Sequence, residues 1–301
     1  IGSHLVDRLV KENYKVVVID NLSTGKRENI NPKAKFYQCD ICSSKIAEII
    51  KKEQPEVIFH LAAQINLRKS VENPVEDAKI NILGFLNLLE SFVRYSKKDV
   101  SKLKFIFTST GGAFYGDAKI IPTPETYPAK PLSPYGNAKL AVENYLNYYH
   151  QVFNLPYIIL RLANVYGPRQ NPKGEAGVIS IFCDKFLNNK RPIIYGNGKQ
   201  TRDFIFVDDV INACILSLKS KKRGVYNIGT AKETDINTIF FLLQKLFKSK
   251  IKPIYQKAKE GEQQRSCLDY SLAKKELKWI PKFNLEKGLQ ETVKWYKNIL
   301  K

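Results

Sequence analysis

Ile1-Gly-Ser-His-Leu-Val-Asp-Arg-Leu-Val10 is followed, after four residues, by Lys15-Val-Val-Val-Ile-Asp20. In the first segment Leu5, Leu9 and Val10 share one helical face. The second is a β-branched run of the type buried on both faces of a parallel sheet. A helix leading straight into such a strand is part of a β–α–β unit. A chain met at Ile1 with its helix already under way is therefore expected to lack a strand, and its glycines, ahead of that point.

The same alternation continues outward. Strand-like apolar runs recur at Lys35–Gln38, Val57–Leu61, Leu103–Ser109, Tyr157–Arg161 and Val225–Gly229. Helical periodicity fills the intervals at Ser44–Lys52, Val75–Ser96, Tyr135–Phe153, Val178–Asn188, Val207–Leu218 and Ile236–Phe247. Strand and helix in turn predict an α/β fold, a doubly wound parallel sheet of Rossmann type, with its ligand crevice at the carboxyl ends of the strands. Between Ala163 and Thr201 the alternation gives way to Gly, Pro and Asn, which marks a smaller second lobe that would bind substrate. The expected division is 1–165 with 203–232 for the Rossmann lobe, and 166–202 with 233–301 for the substrate lobe.

Composition narrows the function classes. With 301 residues, 44% hydrophobic and 26% charged, the chain is long enough to bury about 75% of its unfolded surface. No apolar run reaches the roughly 18 residues of a membrane span, so disorder and a transmembrane enzyme are excluded. The net charge is +20, and about three quarters of it falls in residues 151–301. Such a surface attracts polyanions, which leaves a basic nucleic-acid-binding protein as a rival reading; the simpler one is a Lys-rich solvated surface. Of five Cys only Cys39 and Cys42 form a pair at C-x-x-C spacing, and there are three His. No metal site is expected, and the thiols suit a reducing, cytoplasmic compartment.

Two groups of residues suggest chemistry. Gly2 at the start of the first helix would allow close helix–sheet approach beside a pyrophosphate. Asp20 ends the next strand at about the spacing of an acid that receives the ribose hydroxyls of NAD, and an acid there disfavours NADP. Asn21 would lie beside it, with Asp40 and Ile41 flanking the adenine; Asp20 as a plain turn residue stays open. The second group is Ser133-Pro-Tyr-Gly-Asn-Ala-Lys139. Spacing of four places Tyr135 and Lys139 on one helical face, where an ammonium would favour the phenolate and make Tyr135 a general acid/base. A Y-x-x-x-K match also arises often by chance.

In order along the chain, Ile1-Gly-Ser-His-Leu5, His60-Leu-Ala-Ala63, Asn81, Thr108-Ser-Thr-Gly-Gly-Ala-Phe-Tyr-Gly116 and Ser133–Lys139 together resemble the extended short-chain dehydrogenase/reductase family, in its nucleotide-sugar epimerase/dehydratase group. Arg161–Arg169, Arg202–Asp208 and Tyr226–Gly229 extend the resemblance over nearly the whole chain. It implies Thr110, Tyr135 and Lys139 as the catalytic set. It further implies Leu61, Ala62, Ala63 and Asn81 at the NAD site, where Tyr135 and Lys139 also contribute. Ser109 and Thr110 would meet the sugar, Asn164 and Arg202 the diphosphate, and Val178, Ile179 and Tyr195 or Gly196 the uracil.

Gly111-Gly112 stands where dehydratases carry Asp-Glu, and the Glu of decarboxylating members is absent, so the resemblance implies 4-epimerisation of a UDP-hexose through a 4-keto sugar. Other nucleotide-sugar chemistry on the same fold is the alternative. Lys259 stands where many relatives have Arg, a point charge in place of a fork. Ser266 occupies a position that gates space at the sugar's C2 substituent, and its small size implies that N-acetyl sugars are accepted. A chain lacking the earlier glycines is expected to hold NAD weakly. A homodimer is expected through the helices around 75–96 and 135–153, with Phe85, Leu88, Leu89, Phe92, Tyr145, Tyr148 and Tyr149 as its surface. His60, Phe114 and Tyr115 are expected in the core.

Overall fold

A computed structural model describes residues 1–173, 177–258 and 263–299. The first half runs α1 (Gly2–Lys11), β1 (Val17–Asp20), β2 (Lys35–Gln38), α2 (Lys45–Glu53), β3 (Val57–His60), α3 (Leu67–Glu72), α4 (Pro74–Ala78), α5 (Phe85–Tyr95), β4 (Lys104–Thr110) and α6 (Pro134–Phe153). The second runs β5 (Tyr157–Leu162), β6 (Asn164–Tyr166), α7 (Val178–Leu187), β7 (Ile193–Tyr195), β8 (Thr201–Arg202), β9 (Phe204–Phe206), α8 (Val207–Lys219), β10 (Gly224–Ile228), β11 (Thr234–Asp235), α9 (Ile236–Phe247), β12 (Ile254–Gln256), β13 (Arg265–Ser266), α10 (Ser271–Leu277) and α11 (Leu285–Ile299).

Strands β3, β4, β5 and β10 form a parallel sheet in the order β10-β5-β4-β3, and β1 and β2 form a separate parallel pair. Alternation along the strands sends side chains to two cores, as a pleated backbone requires. Phe105, Phe107 and Ile159 pack with Ile46, Phe85, Leu89, Phe92, Val142 and Leu146, under α2, α5 and α6. Ile106, Ile158 and Leu160 face the other way, onto Leu5 and Leu9 of α1 and Val210 and Cys214 of α8. Helices on both faces make the sheet doubly wound, as the sequence pattern predicts. The second core runs on through Ile179 and Phe182 of α7, Phe240 of α9 and Leu289 and Tyr296 of α11. Beside it lie three small sheets, β11-β8-β13, β12-β7 and β6-β9.

Three expectations are corrected here. The single helix over Val75–Ser96 is instead α4, a wider π turn over Lys79–Gly84, and α5. Tertiary demand widens the turn: Asn81 lies in it with its amide bonded to the Gln64 backbone. The close helix–sheet approach at Gly2 is absent, since a Cβ there would meet nothing within 4 Å; α1 packs further along, through Leu5 and Leu9. Lastly, Phe85, Leu88, Leu89, Phe92 and Tyr149 are buried in the chain's own core. The outward apolar residues of these helices are Val75, Leu83, Tyr145, Tyr148, Val152 and Phe153.

Candidate active site

The start of α6 is held by a cap and a close contact. Ser133 Oγ accepts a hydrogen bond from the Gly136 N–H at 3.1 Å, and Pro134 at the first helical position needs no N–H partner. A Cβ on Gly136 would lie 2.5 Å from the Ala113 carbonyl oxygen. Only glycine lets α6 come this near the turn that follows β4. The approach brings Tyr135 to the strand end that carries Thr110. Thr110 Oγ1 accepts from the Ala113 N–H at 3.2 Å, which orients the hydroxyl and leaves its proton to donate.

One turn on, Lys139 is buried. Its Nζ donates to the Thr108 carbonyl at 3.1 Å and lies 4.6 Å from the centre of the Phe107 ring and 5.7 Å from that of Tyr135. Burial pushes the ammonium down to about 8, with the carboxylates of Glu143 and then Asp77 acting to hold it up. The phenol of Tyr135 behaves opposite to the expectation from spacing. Burial raises it above its ordinary value, and Asp77 raises it further. Desolvation and a nearby carboxylate both disfavour phenolate. His60, stacked on Phe107 with 5.8 Å between ring centres, is driven by burial, and then by the charge of Lys139, down to about 3. It is a neutral core side chain, as are the buried Phe114 and Tyr115.

At the carboxyl end of β1, Asp20 Oδ1 accepts from the Leu22 N–H at 2.7 Å, so it does serve its turn. Its side chain is exposed and lies 3.4 Å from where a Cβ on Gly25 would be. Asn21 donates to Asp40 at 2.8 Å, and Asp40 accepts from the Cys42 N–H, which gathers Asp20, Asn21, Asp40 and the buried Ile41 at one sheet end. The Cys42 thiol is pushed up to about 11 by burial and then by Asp40, and Cys39 and Cys42 are both unpaired thiols.

Leu61, Ala62 and Ala63 leave β3 on the same side, and the segment is pinned by Asn81. The Asn81 amide accepts from the Gln64 N–H at 3.0 Å and donates to the Gln64 carbonyl at 2.9 Å. Asn81 is buried with its amide used inside the protein, so its part is to hold this loop. An exposed acid for ribose hydroxyls, small alanines at the β3 end and a buried ammonium with donors beyond the one given to Thr108 form a donor set that fits NAD.

A second cluster beside the turn is assembled from distant segments. A Cβ on Gly111 would come 2.4 Å from Leu268, and one on Gly112 would point to Asn164 Oδ1 at 3.9 Å and Ser266 Oγ at 4.0 Å. Ser266 is buried on β13 and is the register partner of Arg202 on β8. Thr110, Asn164, Ser266 and Arg202 are thus brought into one region. Val178 opens α7 and Ile179 is buried behind it. Tyr195 is half-buried at the end of β7, and Gly196 follows it. Ser109 points away from Thr110 and donates its hydroxyl proton to Glu143 at 2.6 Å, so it belongs to the internal network. Lys259 lies outside the described residues.

Sequence reasoning missed the supports of this site. Glu143 is one turn beyond Lys139 and pairs with Arg161 of β5 at 2.6 Å. Asp203 receives the N–H groups of Thr230, Ala231 and Leu268. Asp77, one turn before Asn81, accepts from Gln64 Nε2 at 2.8 Å and Asn81 Nδ2 at 3.0 Å. The available signal was the spacing of four in Asp77/Asn81 and Lys139/Glu143.

The pattern of the NAD dependent epimerase/dehydratase family matches residues 1–229. A Methanocaldococcus jannaschii protein assigned as a UDP-glucose 4-epimerase is 47% identical over 298 residues, covering 99% of this chain and 95% of that protein. The structure of Thermotoga maritima UDP-glucose 4-epimerase with UDP-glucose is 44% identical and superposes with a TM-score of 0.96 over 100% of this chain and 96% of its own. That of the Thermus thermophilus UDP-glucose 4-epimerase in complex with NAD is 35% identical, with a TM-score of 0.92 over 98% and 95%.

Proposed function

The chain belongs to the NAD dependent epimerase/dehydratase family, and from that membership we propose that it catalyses NAD-dependent 4-epimerisation of a UDP-hexose, interconverting UDP-glucose and UDP-galactose. The carrying observation is that Lys139 lies by the Tyr135 ring where α6 closes on the turn Gly111–Gly116, which follows Thr110 and holds no carboxylate. Elimination of water needs a further acid and base beside the sugar. Reversible oxidation at one carbon needs a single proton-transfer group.

In this reading the residues 1–165 and 203–232 hold NAD, through Asp20, Asn21, Asp40, Ile41, the Leu61–Ala63 loop and Lys139. Bound there, NAD supplies the acceptor, and then the donor, for the C4 hydrogen and its electron pair. Tyr135, which burial holds as the phenol in the free chain, would act as the phenolate beside Lys139 and the positive charge of bound NAD, its Oη taking the proton of the C4 hydroxyl that Thr110 orients and later returning one. Lys139 balances the charge of the phenolate. Epimerisation requires the 4-keto sugar to present its other face before reduction, and Gly112 and Ser266 leave room beside it. Residues 166–202 and 233–301, joined by Asn164 from the edge of the first lobe, supply the nucleotide contacts, with Asn164 and Arg202 at the diphosphate and Val178 and Tyr195 near the uracil. Incubation of the purified chain with UDP-galactose and NAD is expected to yield UDP-glucose; a dehydrated or decarboxylated product, or no turnover, overturns the assignment.

Ser266 sets substrate breadth. Its hydroxymethyl group leaves space for an N-acetyl substituent, so UDP-GlcNAc and UDP-GalNAc should also interconvert. Ser266→Tyr forces a large ring into that space at a cost of ~1–3 kcal/mol or more, and is expected to depress kcat/KM for the N-acetyl pair selectively. Equal handling by both proteins, or rejection of N-acetyl sugars by the wild type, removes Ser266 as the gate.

The chain is assigned to the cytoplasm on its unpaired thiols; no described helix is long and apolar enough to cross a membrane. It is also assigned as a homodimer. The groove lined by Pro74, Val75, Ala78, Lys79, Ile82 and Leu83 and the exposed Tyr145, Tyr148, Val152 and Phe153 of α6 make an apolar face suited to a second copy. Sedimentation at micromolar concentration should give a dimer mass, and a strict monomer refutes it.

A further inference from the structure

Asp203 is the single residue between β8 and β9 and is 1% exposed. Two other parts of the chain converge on its carboxylate. From the turn after β10, Oδ1 accepts from the Thr230 N–H at 2.9 Å and the Thr230 hydroxyl at 2.6 Å, and Oδ2 from the Thr230 N–H at 3.0 Å and the Ala231 N–H at 3.3 Å. From the segment after β13, the Leu268 N–H donates to Oδ2 at 3.2 Å, with the Cys267 thiol at 3.9 Å. A Cβ on Gly229 would lie 2.4 Å from Oδ2, so glycine there leaves the carboxylate its place. Buried N–H groups need such an acceptor, because a donor stranded in the interior costs more than a satisfied bond contributes.

The main chain around the same residue reaches the cluster assigned to the nucleotide sugar. Its carbonyl accepts from the Asn164 N–H at 2.9 Å, and the preceding residue, Arg202, is in register with Ser266. Leu268, held by the carboxylate, lies two residues beyond Ser266, and its side chain fills the space beside Gly111. The Gly112 position in turn faces Asn164 Oδ1 and Ser266 Oγ. Asn164, Arg202, Ser266 and the Gly111–Gly112 turn are thus set against one another through a single buried residue.

We propose that Asp203 is a positioning residue for the nucleotide-sugar side of the site, its carboxylate and carbonyl fixing the segments that carry Asn164, Arg202, Ser266 and Leu268 in the arrangement that binds UDP. The residues at the NAD side, Asp20, Asn21, Asp40 and Asn81, make their described bonds elsewhere, so affinity for UDP depends on Asp203 and affinity for NAD does not. The ligand rests on the epimerase reading; the joining of the segments does not.

Asp203→Asn keeps the size and one acceptor oxygen but turns an amide NH2 toward N–H donors. Titration calorimetry is expected to show UDP binding weakened on the order of tenfold, the worth of about one stranded buried donor, with NAD binding unchanged. Asp209→Asn controls for stability alone. Asp209 is also 1% exposed and accepts from the Lys282 and Phe283 N–H groups, away from the cluster, so its variant should melt lower and bind UDP as the wild type does. Thr230→Val removes one donor to Asp203 and should weaken UDP by a smaller factor, while Thr230→Ser keeps the hydroxyl and should not.

Unchanged UDP binding in Asp203→Asn, an equal loss for UDP and NAD, or an equal loss of UDP binding in Asp209→Asn overturns the proposal. If Asp203→Asn does not fold, the Thr230 pair decides, and equal UDP affinity in Thr230→Val and Thr230→Ser overturns it. A wild type that binds no UDP counts against the epimerase reading alone, because amide exchange still tests the joint. The Asn164, Thr230 and Leu268 N–H groups should then exchange faster in Asp203→Asn while those of β4 and β5 stay protected, and a uniform change across all of them refutes it.

Discussion

Tyr135→Phe is expected to fold normally and to lose on the order of 10²–10⁴ in kcat, the contribution of a positioned acid/base. The substitution removes one oxygen and leaves the ring. Ser133, Pro134 and Gly136, which seat the start of α6, are untouched, and so is the Lys139 bond to Thr108. The described structure has no other group so placed: Thr110 is an aliphatic hydroxyl that does not ionise and so cannot serve as the base, and His60 is buried behind Phe107. Steady-state kinetics with UDP-galactose, paired with a thermal melt, separates chemistry from folding. Wild-type turnover in Tyr135→Phe removes this residue from the mechanism, and a lowered melting temperature with proportionate loss makes its role structural.

The largest stability effect is expected at Arg161→Leu, about 3–5 kcal/mol, because it strands a buried carboxylate. Glu143 and Arg161 are 6% and 7% exposed, and the pair is wrapped in further bonds from Ser109 to Glu143 and from Arg161 to Tyr115 at 2.7 Å. The guanidinium also lies 3.8 Å from the centre of the Phe114 ring. Removing Arg161 leaves Glu143 with a single neutral donor in the interior. Removing both charges relieves that penalty, so Arg161→Leu with Glu143→Leu is expected to be more stable than Arg161→Leu alone, with a coupling of 1 kcal/mol or more, a rough figure for contacting residues. Urea unfolding of the two single variants and the double measures this. Additive single effects would show that the pair acts as two independent packing residues.

What the sequence determined by itself is what depends on neighbours along the chain. Pleat and helix periods are local, so Lys35–Gln38, Ile236–Phe247 and the helix from Pro134 to Phe153 lie where the pattern puts them, within a residue or so. The cap at Ser133 and the spacing of Tyr135 and Lys139 are equally local. Helices α3 and α10 were not legible because they are short, whereas α11 carries the helical spacing of Leu289, Val293 and Tyr296, a signal that Gly288 does not interrupt.

Tertiary structure alone decided the rest, because burial and charge act through space. It widened the turn at Asn81 to serve Gln64, and turned the expected dimer aromatics Phe85 and Phe92 into core. It put Ser266 in register with Arg202, 64 positions apart, though nothing between them in the chain encodes the meeting. It also reversed the field on Tyr135. Spacing shows the ammonium four residues away, whereas the desolvation of the phenol and the nearness of Asp77 arise only in the folded chain.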